Sequence, residues 1–322
     1  KGFEIKRFET KGNFGENTFF WNYEKEALGF SPDIIITHAY RQYYSTKALK
    51  IAKKLKIPCI LVTHAPFLDK KLRSWRLNLM VWIYDAFVGR RIINQYDKIF
   101  AITKWEIPYL KQLGANSEKI EYVPNGIPDE FFNKKIAKKQ NQNKLLFLGR
   151  IAPIKDIETL IKAFKICSKK NNKLLLEIVG PVEQTYGKKI HLLIKKEGLE
   201  SNIQFQTPVY DLQKKIEMID NANIFILPSK REGMPQSLIE AMSREKIAIS
   251  SNTEGGKEII KDFINGYLFE IGNEKQLAGK IIFAIKNNKQ NQLIQKQARK
   301  SVEQFSWEKL SNKIDKIIKE LV

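Results

Sequence analysis

The stretch Arg231-Glu-Gly-Met-Pro-Gln-Ser-Leu-Ile-Glu-Ala-Met242 decides the reading of this chain. Before it, Asn223 to Leu227 is a short apolar run of the kind that forms a buried strand. After it, Gln236 to Ser243 has a helical pattern, with Pro235 suited to the first helical position. Glu232 therefore falls on the loop at the carboxyl end of a strand, and Glu240 about two turns down the next helix. The amides around Gly233, Met234 and Gln236 become the free donors of a helix N-terminus, which suit an anion. Carboxylates accept hydrogen bonds from neutral hydroxyls, so two glutamates flanking an anion site suit a sugar nucleotide. The spacing alone fits two ordinary surface carboxylates equally well.

Further out, Lys144-Leu-Leu-Phe-Leu-Gly-Arg150 reads as a strand ending in Gly-Arg, followed by Lys155 and an amphipathic helix. Downstream lie Gly255-Gly-Lys-Glu258 and Asn265-Gly-Tyr-Leu-Phe269, the second a turn leading into a short strand. Strand-like runs at 3–9, 33–37, 58–63, 97–102 and 119–123 alternate with helical patterns at about 18–29, 45–56, 71–95 and 104–113. A second series opens at 144–149 and continues with strands near 173–179, 202–205, 223–227, 246–250 and 267–269. Strand alternating with helix predicts parallel sheets covered on both faces. The polar stretch 133–143 has no packing face and separates the two series, so the reading is two α/β domains and a linker.

Taken together these motifs resemble the retaining glycosyltransferases of family 4. That family has the GT-B fold, two Rossmann-like, doubly wound parallel-sheet domains facing a cleft. Its C-terminal half carries a Gly-Arg with a Lys five residues on, matched here by Gly149, Arg150 and Lys155. The paired glutamates, the Gly-Gly with a Glu soon after, and the Asn-Gly-x-Leu strand follow in the same order. The resemblance implies an acceptor-side domain over 1–140 and a donor domain over 141–322, with a final helix at 306–322 packing back on the first domain. It implies that Glu232 contacts hydroxyls of the donor sugar and Glu240 the ribose. It also places Gly149, Gly233, Met234, Pro235, Gln236, Thr253, Gly255, Gly256 and Glu258 around the donor and its phosphates, and Pro208 and Val209 against the base. Gly2 to Phe8 resembles the family's second strand, so about 30 residues, one βα unit, would be missing from this sequence. Asp156 stands where the family has glycine, and Ser243-Arg-Glu-Lys-Ile247 lacks the family's helix-stopping glycine.

Arg150 and Lys155 also have a direct physical task. Breaking a sugar–diphosphate bond builds negative charge on the leaving oxygen, and cations fixed there stabilise the transition state more than the ground state. Two of the three histidines, His38 and His64, end strand-like runs, and the carboxyl ends of parallel strands line ligand crevices. The resemblance places His64 near the transferred sugar. His191 lies on an amphipathic helix and is expected to be inert.

The 322 residues suffice for two domains, and the net charge of +21 is spread evenly. Residues 1–143 hold 25 basic and 14 acidic groups, residues 144–322 hold 31 and 21. Without a basic arm or an aromatic platform, this balance points to anionic substrates or an anionic membrane surface rather than nucleic acid. Cys59 and Cys167 stand far apart and fit neither a metal pattern nor a disulfide framework, so no metal is expected and the compartment is read as cytoplasmic. No G-x-G-x-x-G follows a predicted strand, which argues against an NAD-linked oxidoreductase. Between residues 67 and 99, Lys70, Lys71, Arg73, Arg76, Arg90, Arg91 and Lys98 bracket an apolar segment, Leu77 to Val88. It is too short to span a bilayer, leaving either a buried helix with basic ends or a peripheral contact with anionic membrane.

The resemblance therefore implies a retaining hexosyltransferase. It would use a UDP- or GDP-sugar donor and no metal or other cofactor, and act on a hydroxyl of a glycan or lipid-linked acceptor. A catalytically inactive sugar-nucleotide-binding or scaffolding subunit is the alternative.

Overall fold

The computed structural model describes residues 3–10, 12–14, 18–20, 22–67, 73–136 and 141–322. The chain divides into two compact units, Lys1–Pro124 with Ser311–Val322, and Asn125–Leu310.

The first unit begins with a small antiparallel pair, β1 (Gly12–Phe14) and β2 (Thr18–Phe20). Helix α1 (Glu24–Phe30) follows, then β3 (Ile35–His38), α2 (Tyr43–Leu55), β4 (Cys59–Val62) and α3 (Trp75–Tyr84). A π-helical turn at Asp85–Gly89 joins α3 to α4 (Arg90–Ile92), and β5 (Lys98–Ala101), α5 (Ile107–Gln112) and β6 (Ile120–Tyr122) complete the series. Strands β3-β4-β5-β6 form one parallel sheet in that order. The expected strand over 3–9 has no sheet partner among the described residues, and Phe3 and Ile5 are exposed. Alternation without a neighbouring strand gives no ladder. The helix expected from residue 18 starts at Glu24, because Thr18-Phe-Phe20 is β-favouring and pairs with β1.

The second unit holds α6 (Glu130–Asn133), β7 (Lys144–Leu148), α7 (Ile157–Ser168), β8 (Leu175–Val179), α8 (Gln184–Glu197) and β9 (Ile203–Gln206). It continues through α9 (Leu212–Asn221), β10 (Ile224–Leu227), α10 (Gln236–Ser243), β11 (Ile247–Ser251), α11 (Glu254–Ile259) and β12 (Tyr267–Phe269). Helices α12 (Glu274–Lys286) and α13 (Asn288–Val302) follow. Its six strands run parallel in the order β12-β11-β10-β7-β8-β9. Strands β10 and β11 are buried at every residue, as inner strands of a sheet covered on both faces are. The order reverses between β7 and β10, so both strands deliver their carboxyl ends to the switch point where open α/β sheets bind ligands.

The polar stretch 133–143 is not where the units divide. Ile127 and Phe131 already belong to the second core, which moves the boundary to Pro124/Asn125. Residues 137–140 of that stretch, like Lys70 and Lys71, lie outside the described residues. Helix α14 (Trp307–Leu321) starts in the second unit, and its residues from Ser311 onward belong to the first. No helix among the described residues is long and apolar enough to cross a membrane.

Candidate functional site

In the second unit, Lys155 and Glu232 come together although 77 residues separate them in sequence. Lys155 ends the short 3-10 turn Pro153–Lys155 after β7, and Glu232 lies in the loop after β10. The two loops are joined by the Lys230 amide, which donates to the Ile154 carbonyl at 2.9 Å. That bond brings the Lys155 ammonium to 2.6 Å from Glu232 Oε1. The Ser229 hydroxyl donates to the same oxygen at 2.5 Å, and Ser251 Oγ donates to the Ser229 carbonyl at 2.5 Å. Glu232 is thus a half-buried carboxylate with one oxygen held from two sides. Arg150, two residues beyond β7, is exposed, and Gly149 is half-buried with its amide on the Val179 carbonyl at 3.0 Å.

Asp156 occupies the left-handed conformation, φ 50° and ψ 50°, that a glycine would adopt freely. Aspartate tolerates this region when its side chain bonds locally. Here Thr159 Oγ1 donates to Asp156 Oδ2 at 2.8 Å, and Lys230 Nζ lies 3.6 Å from Oδ1. The turn therefore keeps the shape that carries Lys155.

Gly255 and Gly256 serve backbone approach. A Cβ on Gly255 would lie 2.4 Å from the Gly233 carbonyl oxygen, and one on Gly256 would lie 2.3 Å from that of Ser251. With neither present, the Gly255 amide reaches the Glu232 carbonyl at 3.1 Å, and Thr253 caps α11 by accepting from the Gly256 amide at 3.1 Å. The pair seats α11 directly on the loop that holds Glu232, and Glu258 lies half-buried on that helix.

The remaining residues of the loop face their own unit. Met234 Sδ accepts from the Asn125 amide at 3.2 Å, and Gln236 Nε2 donates to the Gly126 carbonyl at 3.1 Å. Pro235 is the N-cap of α10 rather than its first helical residue. Val209 packs half-buried against the second core. Glu240 is nearly closed off at 6 % exposure and pairs with Lys215 of α9 at 2.6 Å. Burial pushes its carboxyl above the ordinary range, against the pull of Lys215. Ser229 and Lys215 carry no sequence signal: one is an ordinary serine in a strand-end loop, the other one lysine among many on a helix surface.

In the first unit, β3 and β4 end side by side, and His38 Nδ1 lies 2.8 Å from His64 Nε2. Partial burial lowers the pKa of both rings, and the neighbouring His38 lowers that of His64 further. His64 and Ala65 are consecutive residues with positive φ, 59° and 51°. Beneath them the fully buried Glu106 accepts from Thr63 Oγ1 at 2.8 Å and from the Thr103 amide at 3.0 Å. His191 lies on α8 of the second unit with its ring against Phe205, 4.6 Å between centroids.

The segment after β4 settles one open alternative. No residue of α3 is buried, and Trp75, Leu77, Leu79, Met80, Trp82 and Ile83 are all exposed, so it is not a buried helix.

The family model described as "Glycosyl transferases group 1" matches residues 128–301, and that for "Glycosyltransferase Family 4" matches 6–131. An uncharacterized glycosyltransferase of Methanocaldococcus jannaschii is 30% identical over 263 residues, covering 78% of this chain and 66% of the relative. The capsular polysaccharide biosynthesis glycosyltransferase CapH of Staphylococcus aureus is 28% identical over 283 residues, 81% of this chain and 76% of CapH. Among solved structures, Anabaena HepE in complex with UDP and glucose matches with a TM-score of 0.76 at 18% identity, covering 92% of this chain and 81% of HepE. Two parallel-sheet units of the GT-B class, matched along their length in this way, make the chain a member of the glycosyl transferases group 1 family.

Proposed function

We propose that this protein transfers a hexosyl unit from a UDP- or GDP-sugar to a hydroxyl of a glycan or lipid-linked acceptor, with retention of configuration. The observation that carries the reading is the Lys155–Glu232 pair at the carboxyl ends of β7 and β10, with Arg150 exposed two residues past β7. Arg150 and Lys155 take up charge on the departing diphosphate, the task a metal performs in other transferases. Glu232 accepts from hydroxyls of the sugar, and Glu240 from those of the ribose. The diphosphate itself helps to deprotonate the acceptor. His64 joins the catalytic set on the family resemblance alone. CapH, a glycosyltransferase of capsular polysaccharide biosynthesis, and HepE, in complex with UDP and glucose, support a glycan acceptor and a uridine donor.

Helix α3, which exposes Trp75, Leu77, Leu79, Met80, Trp82 and Ile83 and fully buries no residue, supports a second part of the reading, an acceptor met at a cytoplasmic anionic lipid surface. Exposed Arg76, Arg90 and Arg91 flank the apolar residues and suit acidic headgroups.

Incubation with a panel of UDP- and GDP-sugars, with and without EDTA, tests the proposal. Turnover of one donor that survives EDTA and yields a product of unchanged anomeric configuration is expected. Binding without turnover over all donors and acceptors tried would indicate an inactive nucleotide-sugar-binding subunit instead.

A further inference from the structure

Five carboxylates are buried among the described residues, and in four each oxygen faces a hydrogen-bond donor or an ammonium, although Glu177 Oε2 has only its ion pair with Lys144 at 2.8 Å. Glu106 accepts from Thr63 and Thr103, and Asp156 faces Thr159 and Lys230. Glu177 meets Gln206 and Lys144, and both oxygens of Asp220 accept from Arg244. Glu240 is the exception. Its Oε1 is held by Lys215, while Oε2 is shut off from solvent and has no hydrogen-bond partner.

A buried carboxylate oxygen without a donor is costly and rare in a folded protein, and a bound group that donates to it would relieve that cost. The chemistry of the filler follows from the charge already present. Lys215 neutralises Glu240, so a second cation is not called for, whereas a neutral O–H would satisfy Oε2 without adding charge. Lys215 is itself well placed: its ammonium lies 5.8 Å from the centre of the Phe131 ring, which limits where the lysine can move.

We infer that Lys215 is a positioning residue for nucleotide recognition, holding the Glu240 carboxylate turned so that Oε2 accepts a hydroxyl of the donor's ribose. This rests on the reading of Glu240 as the ribose contact. Without Lys215, which pulls against the burial of this carboxyl, Oε1 would lose its partner, the geometry that aims Oε2 would be released, and the pKa would move further up.

The test is calorimetric binding of UDP, 2′-deoxy-UDP and 3′-deoxy-UDP, with GDP and its deoxy forms in parallel, to the full chain and to four variants. The unsubstituted protein should prefer the ribonucleotide by about 10- to 100-fold over at least one deoxy form, the effect of one charge-assisted hydrogen bond. Glu240→Gln should abolish most of that preference. Lys215→Met and Lys215→Gln should also abolish it, and Lys215→Arg should restore it. If Glu240→Gln removes the preference while both Lys215→Met and Lys215→Gln keep it, Lys215 only supports the fold and the inference is overturned, even where melting temperature drops. If the unsubstituted protein shows no preference, or binds neither nucleotide, the ribose reading of Glu240 falls and the inference falls with it.

Discussion

Lys155 and Glu232 form one ion pair, 2.6 Å apart and largely screened from water, so neither can be altered without disturbing the other. Under the proposed function, Lys155→Ala should lower turnover by about 10²–10³, the typical loss for one charge-stabilising group. Glu232→Gln should lower it comparably. The double variant should lose much less than the product of the two, because both singles break the same contact. Steady-state kinetics on all three provides the check, and full multiplicativity would show that the pair does not act as a unit.

Arg150 provides the contrasting case. It is exposed, so Arg150→Ala should reduce turnover by about 10²–10³ with little change in melting temperature. A variant that melts much earlier yet turns over normally would make Arg150 structural.

Arg244 should dominate the stability of the second unit. All its donor nitrogens are in use: Nε and Nη2 hold Asp220 at 2.8 and 2.6 Å, and the Nη atoms also reach the carbonyls of Phe131, Lys134 and Lys135. Arg244→Met takes both guanidinium hydrogen bonds away from the buried Asp220 carboxylate, a loss of about 3–5 kcal/mol. Denaturant unfolding followed by far-UV circular dichroism measures it.

The adjacent residue should respond in the opposite sense. Glu245 sits at φ 53°, just past the end of α10, where the family's glycine would be free of strain. Glu245→Gly should therefore stabilise the protein by about 0.5–1 kcal/mol, the relief of a left-handed residue less the added freedom of the unfolded chain. An unchanged or lower unfolding midpoint would show that the glutamate side chain has a role of its own.

His38 and His64 give a pH dependence with a definite sign. Both folded pKa values lie below the ordinary value of about 6.5, so the folded state prefers the neutral rings. Their contribution to stability is complete above about pH 6.5 and is lost as pH falls through the lowered values. Ring-proton NMR titration should find both below the ordinary value, and His38→Ala should raise that of His64. A titration of either ring above the ordinary value contradicts this.

Replacing Arg76, Arg90 and Arg91 by Gln should weaken co-sedimentation with anionic vesicles at low salt. Each basic residue near such a surface contributes roughly 1 kcal/mol, screened as salt rises. Nucleotide binding by the second unit should be unaffected. Protein that ignores anionic vesicles at low salt removes the lipid-surface part of the reading.

Much of this was legible in the sequence because it rests on local patterns. All six strands of the second unit were readable in the sequence, β7, β8 and β10 as mainly apolar runs, and the Glu232 loop as the link between strand and helix. Burial of both sheet faces leaves such runs little alternative. What escaped depends on contacts over long separations. Nothing near Glu240 announces Lys215, 25 positions earlier on another helix. Nothing in Ser243-Arg-Glu-Lys-Ile247 marks Arg244 and Lys246 as fully buried, since charged residues in a turn are ordinarily solvated. Only the backbone carbonyls and Asp220 beneath them make that burial tolerable, and those arrive from other parts of the chain. The strand expected at 3–9 failed for a related reason: alternation describes a face, and a ladder needs a neighbour.

The course of the chain has a consequence for synthesis. The first unit is interrupted at Pro124 and resumes only at Ser311, where Lys313 donates to the Tyr122 carbonyl at 2.7 Å. The whole second unit is thus an insertion in the first. At its neck the Ile127 amide donates to the Phe305 carbonyl at 2.8 Å, and the Trp307 ring covers Gly126 so closely that a Cβ there would lie 2.6 Å from it. On the ribosome, the inserted unit can close its sheet as soon as β12 has emerged. The unit begun first must wait, without the last turns of α14, until every residue of the second has been made. Nascent chains halted before Ser311 should hold a folded insert on an unfinished host, the reverse of the usual order in which the N-terminal domain is completed first.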